Sequence, residues 1–371
     1  DSLDSSQYTR ELLFSSVFSL MLQVVSGNQR SINAAYQAAA EEVPTSIASV
    51  YNKLKSIDAQ TSAGLVRYAA GEARTLIEGL NGTQEPLLAG YRVKILDGNC
   101  LPASEHRIQE LRTTSAGPLP GKSLVVLDPA LGLAIDVFPC EDGHAQERSL
   151  LGEVLETVTP GDLWIGDRNF CTNGFLTGII QRESHFIVRE HKKLAWEPVT
   201  GSVPTQVGKT ETGIVTQQKV EVTDEYGYVH VLRRVELRLN KPTRDGERTI
   251  ALLTNLAVPA ASARKVAELY RKRWKIETAF QELATHLNSE IQTLGYPQAA
   301  LFGFCVALVA YTVMAVLKAA LCSTHGEQTI EENFSGYYLA DELSNVYSGM
   351  MIAIPQTHWR IFREFKQEEF I

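Results

Sequence analysis

The hydrophobic positions near the start of the chain have helical spacing. In residues 8–82, the segments TRELLFSSVFSLMLQVV, INAAYQAAAEEV and SIASVYNKLKSI carry apolar side chains about every three to four positions. The polar stretch SGNQRS interrupts the pattern between the first two segments. We therefore predict a helical region over residues 1–90. Two arrangements of it remain open, a plain helical bundle and a helix-turn-helix.

From about residue 91 the hydrophobic pattern is that of strands and helices in alternation. YRVKILDGN is typical of a strand, KSLVVLDPALGLAIDVFP of two strands joined by a DPALG turn, and AQERSLLGEVLETV of an amphipathic helix. DLWIGDRNF and HFIVRE are typical of further strands, with a helix, NGFLTGIIQRE, between them. This order predicts an α/β fold in which helices cover a mixed sheet.

A β-rich stretch then interrupts this pattern. Residues 192–250 are rich in β-branched side chains, and DEYGY and TRDGE are typical of turns. TIALLTNL returns to a core strand, and residues 258–287 are predicted to form one long helix. We expect five parts: an N-terminal helical region (1–90), the first part of the α/β core (91–191), a β-rich insertion (192–250), the rest of the core with the long helix (251–296) and a C-terminal helical region (297–371).

One apolar run reaches the length of a membrane span. Residues 299–317, AALFGFCVALVAYTVMAVL, contain no charged side chain. A helix that is apolar on all sides also suits the centre of a large protein, and this run stands alone in an otherwise soluble pattern, so we favour a buried core helix over a span. The first residues have no basic segment and no cleavage motif, so we expect no signal peptide.

Composition limits the classes of function. The net charge of −8 and pI near 5.6 give no general support to nucleic-acid binding, which would need a local basic patch. Residues 264–275 provide such a patch, because they contain six basic side chains and one acidic side chain, Glu268. The five cysteines are scattered without the spacing of a zinc site, which favours a reduced, cytoplasmic protein.

Three carboxylates occupy positions that can converge. Asp97 and Asp167 lie at the ends of predicted core strands, and Glu277 lies on the long helix, so all three can meet at one edge of a sheet. Carboxylates so close repel each other without cations, and their oxygens suit Mg²⁺ or Mn²⁺. Two such ions can hold both sides of a phosphoryl transfer. The alternative for either aspartate alone is a turn or helix-cap residue.

The long helix adds a patterned surface. Tyr270, Arg273 and Glu277 follow the spacing i, i+3, i+7 and therefore share one face. The basic patch around them either contacts phosphates or is a solvated helix face. Trp274 either stacks on an unpaired base or packs in the core. Further candidates for nucleic-acid contact are Arg271, Lys272, Lys275 and Arg168, the last of which could instead pair with an acid.

These motifs resemble a known family. LDGN at 96–99, DRNF at 167–170 and YRKRWKIETAF at 270–280 are similar to segments of the DDE transposases of the insertion-sequence 4 family, which includes the Tn5-like enzymes. The third segment matches the signature Y-x2-R-x3-E of that family at Tyr270, Arg273 and Glu277. The resemblance extends over residues 91–320 and includes EHRIQELR at 105–112 and the apolar run with its flanks.

The resemblance implies a fold and an activity. It implies a ribonuclease-H-like catalytic core with a β-rich insertion between the second aspartate and the glutamate. It implies that Asp97, Asp167 and Glu277 bind two Mg²⁺ (or Mn²⁺) ions, that the ends of a transposon are nicked, and that the freed 3′-hydroxyl attacks target DNA, often by way of a hairpin at the transposon end. It also implies a homodimer that holds two double-stranded DNA ends in the bacterial cytoplasm, with residues 1–90 as a candidate DNA contact.

One position departs from the family pattern. The signature continues with lysine at position 284, and Ala284 stands there, which puts the hairpin step in doubt. Gln281 or nearby basic side chains could substitute. Two other functions therefore remain open, a catalytically silent DNA-binding relative and a ribonuclease-H-like nuclease without strand transfer; a glycosidase with paired carboxylates is a remote alternative. His106, in EHRIQELR, either approaches the site or has a packing role.

Overall fold

The protein is described from a computed structural model. The structure describes residues 12–101, 121–243, 246–291, 294, 296–336, 338–342 and 344. Within them a single mixed sheet of ten strands runs through the molecule, with helices on both faces. This is the α/β, ribonuclease-H-like fold class expected from the sequence. The stretch EHRIQELR with His106, the ends of the chain and several shorter gaps lie outside the described residues.

The strands follow the pattern of the sequence closely. They are β1 (Arg92–Cys100), β2 (Lys122–Asp128), β3 (Leu133–Cys140), β4 (Asp162–Gly166), β5 (His185–Arg189), β6 (Glu197–Pro198), β7 (Thr205–Thr210), β8 (Gly213–Thr223), β9 (Val229–Leu239) and β10 (Thr249–Thr254). Their order in the sheet is β3-β2-β1-β4-β5-β10-β9-β8-β6, and β7 also pairs with β8.

The centre of the sheet is parallel. β1 pairs with β4, and β4 with β5, in the parallel sense, while the strands outside this centre pair antiparallel. The last parallel pair of β1 and β4 is Leu96 with Gly166. The residues that follow this pair, Asp97 and Asp167, therefore lie side by side at the carboxyl edge of the central strands, where parallel sheets present ligand-binding residues.

The β-rich insertion continues the same sheet. β8 and β9 form a long antiparallel hairpin, and β10 pairs with β9 on one side and with β5 on the other. The insertion thus returns the chain to the core beside β5. The loop between β9 and β10 consequently lies beside the carboxyl end of β5, next to the central strands.

At the opposite edge of the central strands, a buried ion pair joins β1 to β4. Asp162 is fully buried, and its carboxylate accepts from Arg92 Nε at 2.9 Å and from Lys94 Nζ at 2.7 Å. The backbone N–H of Thr159 donates to the same carboxylate at 3.0 Å. Lys94 Nζ also lies 4.9 Å from the centre of the Trp164 ring. The buried charge of Asp162 is therefore paired with two cationic side chains and a backbone donor.

The helices lie on both faces of the sheet. They are α1 (Phe14–Val25), α2 (Ile32–Ala38), α3 (Ile47–Ser56), α4 (Ala59–Gly79), α5 (Leu151–Glu156), α6 (Asn173–Gln181), α7 (Ala263–Arg271), α8 (Trp274–His286), α9 (Pro297–His325) and α10 (Glu327–Asn333). Serine side chains begin three of them, because the Oγ atoms of Ser31, Ser46 and Ser262 each accept a backbone N–H of the first turn.

The prediction of one helix over residues 258–287 is wrong, because the structure contains two helices, α7 and α8. At their junction the backbone N–H groups of Lys272, Arg273, Lys275 and Ile276 donate three residues back rather than four. This 3₁₀-type bonding tightens the turn at Arg273. Tyr270 and Glu277 therefore lie on different helices, one on each side of the junction.

The N-terminal helices form a bundle around α9. α1, α3 and α4 all contact α9, and α4 also contacts β3. Arg67 Nε on α4 donates to Asp136 Oδ1 on β3 at 2.5 Å, which ties this bundle to the sheet. α9 is long and apolar enough to cross a membrane, but 61% of its most apolar stretch is buried within the protein. This burial agrees with a core helix.

The two faces of the sheet carry separate cores. Alternate residues of a strand point to opposite faces, so Ile95 packs with the N-terminal bundle, α7, α8 and α9, whereas Leu96 packs with α5 and α6. Asp97 follows in this alternation on the face of Ile95. The side chain of Asp97 therefore lies on the face of the sheet that α7 and α8 cover, rather than on the face that α5 and α6 cover.

Candidate active site

Small residues shape the end of β4 before Asp167. A Cβ atom on Gly166 would lie 3.0 Å from Cδ2 of Phe170, closer than Cβ atoms normally approach a ring. Phe170 is fully buried and ends a short 3₁₀ turn that begins at Arg168. The glycine in IGDRNF thus lets the turn fold back over the strand, and this places Asp167 at the edge of the sheet.

A single guanidinium lies among the three predicted carboxylates. Arg273 Nη1 donates to Asp97 Oδ2 at 2.6 Å, and Arg273 Nη2 donates to Glu277 Oε1 at 2.5 Å. Tyr270 Oη donates to Asp167 Oδ1 at 3.4 Å, and the Arg273 guanidinium lies 5.9 Å from the Tyr270 ring. The structure therefore brings Asp97, Asp167 and Glu277, here named the carboxylate triad, into one network with the tyrosine and arginine of the signature.

The charges in this network do not balance. Burial, the largest influence, raises the pKa of Asp97 to about 6, and the Arg273 charge and the Gly98 N–H offset it only in part. The charges of Asp167 and Glu277 raise this pKa further. Burial, followed by the charge of Asp167, raises the pKa of the Tyr270 phenol well above its ordinary value. Among the described residues, two of the three acids thus share the guanidinium of Arg273.

The donor chemistry of the triad fits a divalent cation. Carboxylate oxygens are the ligands that Mg²⁺ and Mn²⁺ prefer, and the two negative charges left over by Arg273 match the charge of one such ion. In the present arrangement no group of three acidic, histidine or cysteine side chains among the described residues is close enough to hold a metal. Arg273 lies between the acids, so ion binding requires this guanidinium to release at least one of them.

Asp97→Asn is expected to stabilise the metal-free protein by about 1–3 kcal/mol at pH 7. The folded-state pKa near 6 exceeds the ordinary value of 3.8, so ionisation of Asp97 costs stability as the pH rises from about 4 to about 6. The amide avoids this cost. Urea unfolding in EDTA across that pH range would measure it: the wild type should lose stability relative to the variant as the pH rises. Parallel curves for the two proteins would contradict the expectation.

Arg168 does not pair with Asp167. Its Nη1 atom lies 3.3 Å from Glu247 Oε1, and Arg189 Nη2 contacts the other oxygen of the same carboxylate. Arg189 is the last residue of β5, and Glu247 comes from the loop between β9 and β10. Sequence reasoning missed both residues, although the strand-end position that identified Asp167 applies equally to Arg189 in HFIVRE.

Asn169 of the DRNF motif contacts a further acid. Asn169 Nδ2 donates to Glu147 Oε2 at 3.2 Å, and Arg148 Nε donates to the Asn169 carbonyl at 2.8 Å. The Glu147 carboxylate also fills the space where Gly98 has no side chain. This contact holds the ends of β1 and β4 together on the face opposite the carboxylate triad.

The remaining predicted residues lie on the surface of α7 and α8. Trp274 is 64% exposed, so its reading as a core residue is wrong. Arg271 and Lys272 are exposed on the same side, and Arg271 Nη1 lies 3.6 Å from Glu211 Oε2. A surface cavity of about 390 Å³ runs along this side. Its lining consists of Leu87, Lys265, Glu268, Leu269, Arg271, Lys272 and Trp274.

Two other positions of α8 bear on the departure from the signature. Lys275 Nζ donates to Gln84 Oε1 at 3.3 Å and so faces the segment before β1. Gln281 and Ala284 are both exposed beyond Glu277. The side chain of Gln281 is thus available on the surface, as is the position where the signature has lysine.

Comparison with known proteins gives two matches. Residues 88–313, more than half of the chain, match the family model described as "Transposase DDE domain". A 173-residue region is 24% identical to "Putative transposase y4zB" of Sinorhizobium fredii, covering 43% of this chain and 43% of that protein. The chain therefore matches less than half the length of this relative. The carboxylate triad, Tyr270 and Arg273 all lie within the region that the family model matches.

Proposed function

This chain belongs to the DDE transposase family, and from that premise we propose that it nicks the ends of a transposon and joins the freed 3′-hydroxyl to target DNA. We also propose that it is a Tn5-like member of the insertion-sequence 4 family, because Tyr270, Arg273 and Glu277 match the signature of that family. The main support is that Asp97 and Asp167, which are far from Tyr270, Arg273 and Glu277 in the sequence, contact Arg273 and Tyr270 in the structure. The proposed substrates are double-stranded transposon ends and target DNA.

The carboxylate triad would hold the divalent cations, Mg²⁺ or Mn²⁺. When bound, two such ions supply positive charge that stabilises a phosphoryl-transfer transition state and helps to deprotonate the attacking water or hydroxyl. Asp97 lies within β1 and Asp167 directly follows β4, whereas Glu277 lies on α8. Two of the proposed ligands would thus be held by the sheet and the third by a helix.

Tyr270 acts as a hydrogen-bond donor rather than as a nucleophile. Tyr270 Oη donates to Asp167 Oδ1 at 3.4 Å, and burial raises the pKa of the phenol further above neutral pH. A tyrosine that forms a covalent bond to DNA would need easy access to its ionised form. The attacking group in the proposed reaction is therefore a water molecule or a DNA hydroxyl.

Arg273 has a donor left for the substrate. Its Nε atom is buried and has no hydrogen-bond partner among the described residues, while both Nη atoms are engaged. A buried donor without an acceptor is costly, and a DNA phosphate oxygen would satisfy it once Arg273 releases an acid and its Nε atom becomes accessible. Arg273 thus connects the acids to the phosphate that is to be cut.

Loss of one basic side chain from the surface of α7 and α8 should weaken DNA binding and reduce its salt dependence. In Arg271→Ala or Lys272→Ala, the slope of log K against log salt should fall in magnitude by about 0.9, because one phosphate contact is lost. Fluorescence anisotropy with a labelled duplex in EDTA measures both quantities. Arg182→Ala, on α6 and paired with Glu156, is the control and should leave the slope unchanged. Equal slopes in all four proteins would refute the proposed surface.

The function is tested with DNA that carries the inverted repeats flanking the gene. Incubation with Mg²⁺ should give nicks at the repeat ends, and pre-cut ends should be joined to a target plasmid. Binding without any cleavage would favour a silent relative, and cleavage without joining would favour a nuclease.

Trapping of hairpin ends tests the step that Ala284 puts in doubt. Light scattering with end DNA tests the proposed homodimer.

A further inference from the structure

One carboxylate holds two arginines at the edge of the site. Glu247 contacts Arg168 through Oε1 and Arg189 through Oε2. The side chains of these residues are between 17% and 41% exposed, so the cluster is neither fully buried nor free on the surface. Arg168 and Arg189 are here named the arginine pair. With one acid for two guanidinium groups, the cluster carries a net positive charge.

The arginine pair lies directly beside the carboxylate triad. Arg168 follows Asp167 in the chain, and Arg189 ends β5, the strand that pairs with β4. The charge of Arg189 also lowers the pKa of Tyr270, although burial and the Asp167 charge outweigh it, so the two side chains share one electrostatic environment. A DNA strand at the triad would present further backbone phosphates on the side of the arginine pair, since each strand carries one phosphate about every 3.4 Å of helix axis.

Glu247 reaches this position from a loop of the insertion. The backbone N–H of Glu247 donates to Thr243 Oγ1 at 3.1 Å, and the N–H of Thr243 donates to the Glu247 carbonyl at 2.8 Å. The loop therefore has hydrogen bonds of its own around Glu247. The Glu247 carboxylate can therefore leave the arginine pair while β9 stays paired with β10, and β10 with β5.

The Glu247 carboxylate has the contact pattern of a phosphate group. Two oxygens on one centre each meet a different guanidinium, as the two free oxygens of a phosphodiester would. Burial raises the pKa of Glu247, but the hydrogen bond and charge of Arg189, together with Arg168, outweigh it and lower the pKa. Glu247 is therefore an anion at neutral pH.

We propose that the arginine pair is a binding site for a backbone phosphate of DNA, and that Glu247 occupies this site in the DNA-free protein until the phosphate displaces it. The site rests on the proposed function, because it places DNA at the carboxylate triad. Glu247 thereby gives the loop between β9 and β10 a regulatory role, because its carboxylate lowers the affinity of the protein for DNA in general. Only a duplex that also binds elsewhere on the protein displaces this carboxylate.

The test is DNA affinity of the full chain after neutralisation of Glu247. Glu247→Gln keeps the shape of the side chain and removes its charge, so a labelled duplex should bind about three- to tenfold more tightly in EDTA, where no cleavage occurs. Glu236→Gln is the matched control. Glu236 also pairs with an arginine of the insertion, Arg234, at 2.8 Å, and its side chain is 36% exposed against 32% for Glu247.

A double-mutant cycle separates the proposed site from a general charge effect. The gain from Glu247→Gln should disappear when Arg168→Gln is also present, because the site then lacks one of its two guanidinium groups. Glu247→Ala provides a second removal of the acid, and a thermal melt of each variant confirms folding. Equal gains from Glu247→Gln and Glu236→Gln, or a gain that survives in Arg168→Gln, would overturn the proposal. Because no metal is present, these results are independent of whether the wild type cuts DNA.

Discussion

Single replacement of Asp97, Asp167 or Glu277 by its amide is expected to reduce cleavage of transposon-end DNA by about 1,000-fold or more. Each amide keeps the shape of the side chain but removes a negative oxygen ligand, and loss of several kcal/mol of transition-state stabilisation corresponds to about three powers of ten. Gel analysis of nicked products under single-turnover conditions measures the rate. The amides should still bind end DNA in EDTA, because the basic surface is unchanged.

Glu282→Gln is the matched control for this loss. Glu282 lies on α8 five residues after Glu277, and its nearest charges are Lys318 and His286 rather than the triad. It should cleave at a rate close to that of the wild type. Near-normal cleavage by any one of the three triad variants would remove that residue from the proposed metal site. An equal loss in Glu282→Gln would mean that the assay reports disturbance of α8 rather than loss of a ligand.

Asp162→Ala is expected to destabilise the protein by about 3–5 kcal/mol. The carboxylate is fully buried between Arg92 and Lys94, and its removal leaves two cationic side chains without their acid and the Thr159 N–H without an acceptor. These groups join β1 to β4 at the edge opposite the site. Urea unfolding at pH 7, followed by circular dichroism, measures the loss.

The control for this loss is an exposed aspartate with a local role. Among the described contacts, the side chain of Asp142 accepts a nearby backbone N–H, that of His144, at 2.9 Å. Asp142→Ala should therefore change the free energy of unfolding by about 1 kcal/mol or less. A loss below about 1 kcal/mol in Asp162→Ala would show that the buried pair contributes little beyond its own cost of desolvation.

The two ends of the paired segment of β1 and β4 thus carry aspartates in opposite electrostatic states. Asp162 meets Arg92, Lys94 and a backbone donor at one end, whereas Asp97 at the other end shares Arg273 with a second acid. Neutralisation is expected to destabilise the first and to stabilise the second in the absence of metal. The charge of Asp162 is satisfied within the protein, whereas the charge of Asp97 is satisfied only in part, as expected of the proposed metal ligand.

The sequence by itself determined the elements that carry the site. Alternating apolar positions predicted strands that end at Asp97 and Asp167, and the structure confirms the α/β fold and the end of β4 just before Asp167. The predicted end at Asp97 is wrong, because β1 continues to Cys100 and pairs with β2 over these residues. Helical spacing predicted that Tyr270, Arg273 and Glu277 share one face of a single helix. The structure divides this helix at Arg273, whose guanidinium contacts Glu277 and lies 5.9 Å from the Tyr270 ring. These features depend on residues close together in the chain, and local periodicity records them.

Only the tertiary structure decided how the charges are paired. Arg273 meets Asp97 across 176 positions of sequence, and Arg168 meets Glu247 across 79. No periodicity specifies such partners, because they depend on where β10 returns beside β5 and on how α8 crosses the sheet edge. The sequence left Arg168 open between an acid and a DNA phosphate. The fold gives it the acid of a distant loop, because the insertion strands continue the central sheet and carry that loop to its edge.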